Sequence, residues 1–336
     1  MPFSYGALHA FNLKDLGSPT KFADLMINNR CRVLIALAWD EYEAGMIEAD
    51  NRNVLSSWAS ALHNRNCSLA LHINPRADMK LAVEETVKIY RQSNADFVLY
   101  DTEDDFSYSK HGGEGYARMS NLMKFHKEEP SFINKPFCIS APGRLDLLDC
   151  HWAAAAMAGA TFYLQAYGIS ESWPHHRAIP CVKGAMAPWL ARAASGLDPF
   201  VIGHSYRMRY QGGKVNEVRI KEKAGSTFYL LDNGLQVDSF DRKIYDKGKK
   251  VGVLLGYVAG AKLKIKMGLY QKAQRPTPEQ VFTEIKEFQT EVARRLGSMA
   301  KSPADWLGWA GYTAGDWLYG DPNFMPVLSS SEISNY

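Results

Sequence analysis

The chain has 336 residues, 46% of them hydrophobic and 22% charged, with a formal net charge of +3. That is room for two average domains or one large α/β barrel, and a charge so small gives no reason to expect nucleic acid or a membrane surface as a partner. No apolar run of about 18 residues suggests a transmembrane helix, and the opening Met1-Pro-Phe-Ser-Tyr-Gly6 lacks a basic segment followed by an apolar one, so no signal peptide is expected.

Taken in chain order, Tyr5–Leu13 reads as a short first strand and Pro19–Asn29 as a helix entered through Ser-Pro. Cys31–Trp39 is a dense apolar strand, and Val54–Asn66 a helix with Trp58, Ala61 and Leu62 on one face. Cys67–Asn74 and Asp96–Glu103 are strands three and four, with the helix Met79–Ser93 between them. A helix over Tyr116–Glu129, a strand over Lys135–Gly143, an Ala-rich helix over Asp146–Gly159 and a strand over Thr161–Gly168 continue the rhythm. A sixth helix is expected around Pro188–Ser195. Ala261–Gln271 and Asp305–Tyr312 supply a seventh and an eighth strand around a helix at Thr277–Leu296. Nearly continuous apolar strands alternating with helices argue for a parallel sheet covered on both faces. The expected fold is therefore α/β, a (β/α)8 TIM-type barrel with a β-rich insertion, and an open doubly wound sheet is the alternative.

The insertion breaks the alternation. Phe200–Tyr210, Val215–Lys221, Ser226–Asp232 and Leu235–Phe240 read as antiparallel strands, and Asn233-Gly234 signals a type I′ hairpin. The division expected is 1–199 for the first part of the barrel, 200–250 for the antiparallel insertion and 251–336 for the last part of the barrel. The insertion carries Lys214, Arg219, Lys221, Lys223, Arg242, Lys243, Lys247, Lys249 and Lys250. These charges read either as guards on exposed strand edges or as a lid or docking element for a protein partner.

Five cysteines, Cys31, Cys67, Cys138, Cys150 and Cys181, are scattered through the chain. An odd number without Cys-x-x-Cys spacing points to reduced, buried thiols, not to a disulfide framework or a metal site. No Gly-x-Gly-x-x-Gly, Walker-type or Gly-x-Ser-x-Gly motif is present, so no cofactor is expected. His175-His176 would point apart on a strand, so no metal site is assigned.

Chemistry in a TIM barrel collects at the C-terminal ends of the strands. Those ends carry Trp39 and Asp40, His72 and Asn74, Asp101 and Glu103, Ser140 to Arg144, Gln165 and Tyr167, and Trp309. Acids, amides and aromatics together suit a polyhydroxylated ligand, which stacks on rings and hydrogen-bonds to polar groups. Asp101 and Glu103 stand out because residues two apart on a strand face the same way. A pair of neighbouring carboxyl groups separates its own pKa values and provides the acid that glycoside hydrolysis needs. Glu103, nearer the mouth, would be the general acid. Asp101 would stabilise positive charge, or orient a substrate acetamido group that itself attacks the sugar carbon. Alternatively, Asp101 pairs with Arg144 or Arg76 and serves only the structure.

Asp-x-Glu at the end of the fourth strand resembles the lysozymes of glycoside hydrolase family 25. The segments Lys135-Pro-Phe-Cys-Ile-Ser140, Phe162-Tyr-Leu-Gln-Ala-Tyr167 and Trp306-Leu-Gly-Trp309 follow in the same order as in sugar-cleaving barrels. The resemblance implies a muramidase-like barrel, often phage-encoded, with Glu103 as acid and Asp101 as its partner. The first strand departs from that family, offering His9 and Asn12 where an Asp is expected. Two functions follow. One is a glycoside hydrolase acting on a cell-wall or surface glycan, made in the cytoplasm and associated with a virion or released at lysis. The other is a non-catalytic barrel serving as a structural or binding component of a phage particle.

Overall fold

A computed structural model describes residues 6–42, 46–143, 145, 150–166, 200–225, 228–239, 242–255, 265–271, 277–296 and 309–312. Eight of its strands form one closed parallel barrel. They are β1 (Gly6–Ala10), β2 (Cys31–Asp40), β3 (Ser68–Asn74), β4 (Phe97–Asp101), β5 (Phe137–Pro142), β6 (Thr161–Gln165), β13 (Ile265–Gln271) and β14 (Trp309–Tyr312). The fold is the expected α/β barrel. β13 pairs with β6 on one side and β14 on the other, and β14 pairs with β1 to close the ring.

Helices α1 (Pro19–Asn28), α2 (Met46–His63), α3 (Met79–Ser93), α5 (Gly113–Glu128), α6 (Trp152–Met157) and α7 (Pro278–Leu296) alternate with these strands, and a short α4 (Tyr108–His111) precedes α5. α2 begins eight residues before the expected Val54. The polar stretch Glu48-Ala-Asp-Asn-Arg52 hid its first turns, yet Glu48 and Asn51 are buried. Asn51 holds the mouth together: its side chain accepts from the Leu13 amide and donates to the carbonyls of Phe11 and Leu37, all at 2.8 Å.

Two apolar layers follow from the strand period of two. Leu8, Leu34, Leu69, Val98, Ile139 and Phe162 face outward and pack with Phe22, Trp58, Val83, Leu122 and Trp152 of the helices. Ala7, Val33, Ile35, Ala70, Phe97, Leu99, Cys138 and Tyr163 fill the barrel interior. That inward phase decides which strand-end residues reach the mouth.

The chain between β6 and β13 builds a second closed sheet, antiparallel and six-stranded, ordered β10-β11-β12-β7-β8-β9. Its strands are β7 (Ser205–Tyr210), β8 (Val215–Ala224), β9 (Phe228–Leu231), β10 (Gln236–Asp238), β11 (Lys243–Asp246) and β12 (Lys249–Leu255). Phe200, Tyr206, Met208, Val218, Ile220, Tyr229, Leu231, Val237, Ile244 and Leu254 form its own core. β11 and β12, which open on Lys243 and on Lys249-Lys250, were not among the expected strands.

The Asn233-Gly234 turn differs from the expected type I′. The Gly234 amide bonds to the Leu231 carbonyl (3.0 Å), and the Leu231 amide to the Leu235 carbonyl (2.8 Å). Gly234 has φ +82° and Asn233 is not in the positive region. This is a three-residue loop, a type I turn closed by a left-handed glycine. Asn233 Oδ1 accepts from the Leu235 amide at 3.1 Å, so its side chain stabilises the turn without a left-handed backbone.

Cys31, Cys67, Cys138 and Cys150 are free and buried, whereas Cys181 lies outside the described residues. Among the described residues no helix is long and apolar enough to cross a membrane, and no cluster of three or more His, Cys, Asp or Glu could hold a metal ion.

Candidate active site

The inward phase of each strand runs straight into the polar residues at its C-terminal end. Phe97 and Leu99 on β4 are followed by Asp101, Cys138 on β5 by Ser140, Tyr163 on β6 by Gln165, Ala70 on β3 by His72, and Ala7 on β1 by His9. Five polar side chains therefore stand on top of the apolar interior. Register places Asp101 opposite Ser140, with Gln165 one pleat further along β6, opposite Pro142.

Gln165 ties the group together. Its Nε2 donates to Glu103 Oε1 at 2.5 Å, to Ser140 Oγ at 2.9 Å and to Asp101 Oδ1 at 3.3 Å. One amide nitrogen serves three oxygens, so the two carboxyl groups share a donor and are held in one space. Glu103 lies beyond the strand instead of on it: β4 stops at Asp101, and Glu103 precedes the 3-10 turn Asp104–Phe106. Thr102 is fully buried and bonds through its amide and hydroxyl to the Ser140 carbonyl (3.0 and 3.1 Å), which fixes the step between the acids. Cys150 Sγ donates to the Glu103 carbonyl at 3.5 Å, fastening the far side.

The Glu103 carboxyl is pushed up to about 7, first by loss of hydration in its recess and then by the negative charge of Asp101, while the Gln165 hydrogen bond pulls the other way. Glu103 nevertheless keeps an exposed side, whereas Gln165 is buried and Asp101 half-buried. A carboxylic acid that stays protonated near neutrality and still faces solvent can give a proton to an arriving ligand.

Below Asp101, His72 of the sequence-based site meets His9, which that site did not include. His72 Nε2 is 3.5 Å from Asp101 Oδ2, and His72 Nδ1 meets His9 Nε2, the rings edge to face with centroids 4.5 Å apart. Burial first, and His72 second, hold His9 well below the usual histidine range. The two are 63 positions apart in sequence, and only the phase of β1 and β3 reveals that they meet.

Asp40 and Asn74 form a second polar group. Asn74 Nδ2 donates to Asp40 Oδ2 at 2.8 Å, and Arg76 bridges Asp40 (3.1 Å) and Asp105 (3.0 Å). Burial opposes ionisation of Asp40, but the bonds from Asn74, Arg76 and the Tyr42 amide outweigh it and hold its carboxyl below its ordinary range. Arg76 is thus paired with Asp40 and Asp105 and forms no ion pair with Asp101. Trp39 is not brought to the acids by any described contact. A register shift between Leu37 and Trp39 takes it out of the inward phase, and it packs half-buried against the core shared with the helices. Trp309 opens β14. Arg144 and Tyr167 lie outside the described residues.

These observations define the class of architecture: a parallel (β/α)8 barrel whose polar groups gather at the C-terminal mouth, with a small β-barrel inserted before β13. Among solved structures it is similar to the catalytic domain of a hyperthermophilic chitinase from Pyrococcus furiosus (TM-score 0.51, 10% identity, covering 98% of this chain and 95% of that one). It is also similar to a group IV chitinase of Ostrinia furnacalis (0.50, 10%, 99% and 100%). A third is active domain 2 of a thermostable Pyrococcus furiosus chitinase, in catalytic site mutants complexed with chito-oligosaccharides (0.50, 9%, 99% and 97%). At these identities the likeness establishes the fold alone, and these neighbours lend no support to the family 25 lysozymes. No protein-family model matches the chain, and no curated protein sequence does.

Proposed function

We propose that the chain is a glycan-cleaving hydrolase acting on polymers of N-acetylated amino sugars, with Glu103 as the general acid and Asp101 as the group that orients the substrate acetamido arm. The observation that carries this reading is the Gln165-bridged pair, in which burial and the Asp101 charge raise Glu103 to about 7. Glu103 gives its proton to the glycosidic oxygen as the bond to the sugar carbon breaks. The acetamido carbonyl oxygen forms the new bond to that carbon, and Asp101 accepts from the acetamido N–H, which acquires positive character. Water then attacks the same carbon, returning a proton to Glu103 and releasing the amide oxygen, so the configuration is retained. Gln165 and Ser140 hold Asp101 and Glu103 in place for both steps.

Chito-oligosaccharide bound in a barrel of the same fold supports an amino-sugar polymer as the substrate class. Peptidoglycan carries the same acetamido group, and a cell-wall target would suit an enzyme of a phage particle or one released at lysis. Release of reducing ends from chito-oligosaccharides and from peptidoglycan tests the reading and separates the two polymers. Glu103→Gln is expected to lower turnover about 1,000-fold, within the usual range for a general acid, and the same sugars without N-acetyl groups are expected to go uncleaved. A fully active Glu103→Gln protein would overturn the assignment. The competing reading, a non-catalytic binding barrel, draws on one observation: β1 brings His9 to the mouth and no acid.

A further inference from the structure

Edge protection was one explanation for the basic insertion, and closure of its sheet removes that explanation. β9 and β10, the ends of a linear order, are themselves paired, so the six-stranded ring has no open edge to guard. Yet residues 205–255 carry eleven Lys and Arg against six Asp and Glu, a formal +5 in a chain whose total is +3.

The cations are ordered. Outward positions of β7 are Arg207 and Arg209, alternating with buried Tyr206 and Met208. Outward positions of β8 include Arg219, flanked by buried Val218 and Ile220, and then Lys221 at the bulge. Arg219 is registered against Ser205, and Glu217 against Arg207. Read across the two strands, Arg209, Arg207, Arg219 and Lys221 therefore descend one outer face in steps of about 7 Å, over roughly 20 Å in all. All four are exposed, and among the described residues none has an ion-pair partner. Glu217 and Glu222 are the acids on this stretch of β8, and the Asp232 carboxylate is occupied by the Arg219 backbone amide at 3.0 Å.

We infer that this face of β7 and β8 is a docking stripe for a linear anionic polysaccharide. A row of evenly stepped cations matches a chain that repeats its charge along its length, and such contacts need neither a pocket nor a fixed register. Nucleic acid fits the face less well. Among the described residues of the unit, no Phe, Trp or Tyr is exposed for bases to stack on: Phe200, Tyr206 and Tyr229 are buried, and Tyr210, Phe228 and Tyr245 are half-buried. The turns 211–214, 232–235 and 247–248 are too short to enter a groove. Choosing a polysaccharide among polyanions rests on the glycan-cleaving reading of the large barrel. The stripe would hold the enzyme on an acidic polymer while the barrel mouth works on an uncharged stretch.

The test is binding of fluorescently labelled alginate to the full chain by anisotropy, with neutral dextran and a 30-base-pair DNA duplex as comparisons. Alginate is expected to bind and dextran not, with affinity falling about tenfold or more between 50 and 200 mM NaCl. Arg207→Gln/Arg209→Gln/Arg219→Gln/Lys221→Gln is expected to weaken alginate binding at least tenfold, with unchanged melting temperature and unchanged cleavage of an uncharged chito-oligosaccharide. If the quadruple variant does not fold, Arg207→Gln/Arg209→Gln on its own must weaken binding at least threefold. Absence of alginate binding, binding indifferent to these substitutions, or tighter binding of the duplex through the same four residues would each overturn the proposal. Alginate binding through the stripe in a chain that cleaves no glycan would uphold the stripe and remove the hydrolase reading.

Discussion

At the scale of single residues, the site is an argument about one proton. Glu103 titrates near 7 in the folded chain because burial and Asp101 disfavour its charge. Turnover that needs the protonated acid is therefore expected to fall as pH rises through about 7. Gln165→Leu removes the hydrogen bond that opposes this shift, so Glu103 should hold its proton to higher pH. The alkaline limb of the pH–rate profile is then expected to move upward while the maximal rate falls, because the acids lose their common donor. An unmoved limb would detach Gln165 from the acid. The same shift has a stability consequence of the opposite kind. A carboxyl raised above its unfolded value binds more protons in the fold than in the unfolded chain, so its contribution declines as pH rises from about 4.5 toward 7. The melting temperature of Glu103→Gln relative to the parent should consequently be higher at pH 8 than at pH 4. Much of this was legible in the sequence, since Asp101 closes an apolar strand with Glu103 two residues further on and Gln165 stands at a strand end. Two features were not. Trp39 fits the mouth by composition, and only a register shift takes it away. His9 and His72 meet across two strands in a layer that no local pattern describes.

Secondary-structure elements set how firmly those residues are held. Gly115 on α5 lies against the segment that follows Glu103: a Cβ there would sit 2.5 Å from the Ser107 carbonyl oxygen and 3.0 Å from the Phe106 carbonyl carbon. Backbone cannot yield as a side-chain tip can, so Gly115→Ala should cost about 1–3 kcal/mol, read from denaturant unfolding. Its displacement of residues 103–107 should also lower glycan cleavage. Gly234 is the opposite case, with φ +82° and nothing within 4 Å of an added Cβ. Gly234→Ala should cost about 1 kcal/mol through backbone strain alone, without changing cleavage of a small uncharged substrate. The helices and strands of the large barrel were readable because burial imposes period and phase together. In the inserted unit only one face of each strand is buried, and lysines at the start of β11 and β12 obscured the alternation. The turn type escaped for a related reason: Asn-Gly is compatible with both two-residue and three-residue loops, and the pairing of Leu231 with Leu235 decides between them.

For the whole molecule, charge and architecture divide in the same way. The inserted six-stranded unit holds +5, which leaves the rest of the chain at −2, although the overall balance suggested no polyanionic partner. Composition averaged over 336 residues concealed what one inserted unit concentrates. Closure of the inserted sheet was invisible from sequence, because it depends on its first and last strands, β7 and β12, finding one another. The eight-stranded count implied a ring for the large barrel, whereas the insertion offered four recognisable strands and no hint that six would close.

The place of the insertion also orders events in time. Strands β1 to β6 pair in sequence, each with the one just made, but β6 finds its second neighbour only when Ile265 reaches Phe162. During synthesis the large sheet must therefore wait, with β1 and β6 as bare edges, while the inserted unit is produced. The unit shortens that wait. β7 and β12 lie side by side, Arg207 opposite Leu255, so once folded the unit brings its own entry and exit together and removes its own length from the chain left to search. A loose loop of the same length would leave those two edges searching for their partners from much farther away. The small barrel is in this sense a folding aid to the large one, because it shortens the chain across which the last two strands must find β6 and β1.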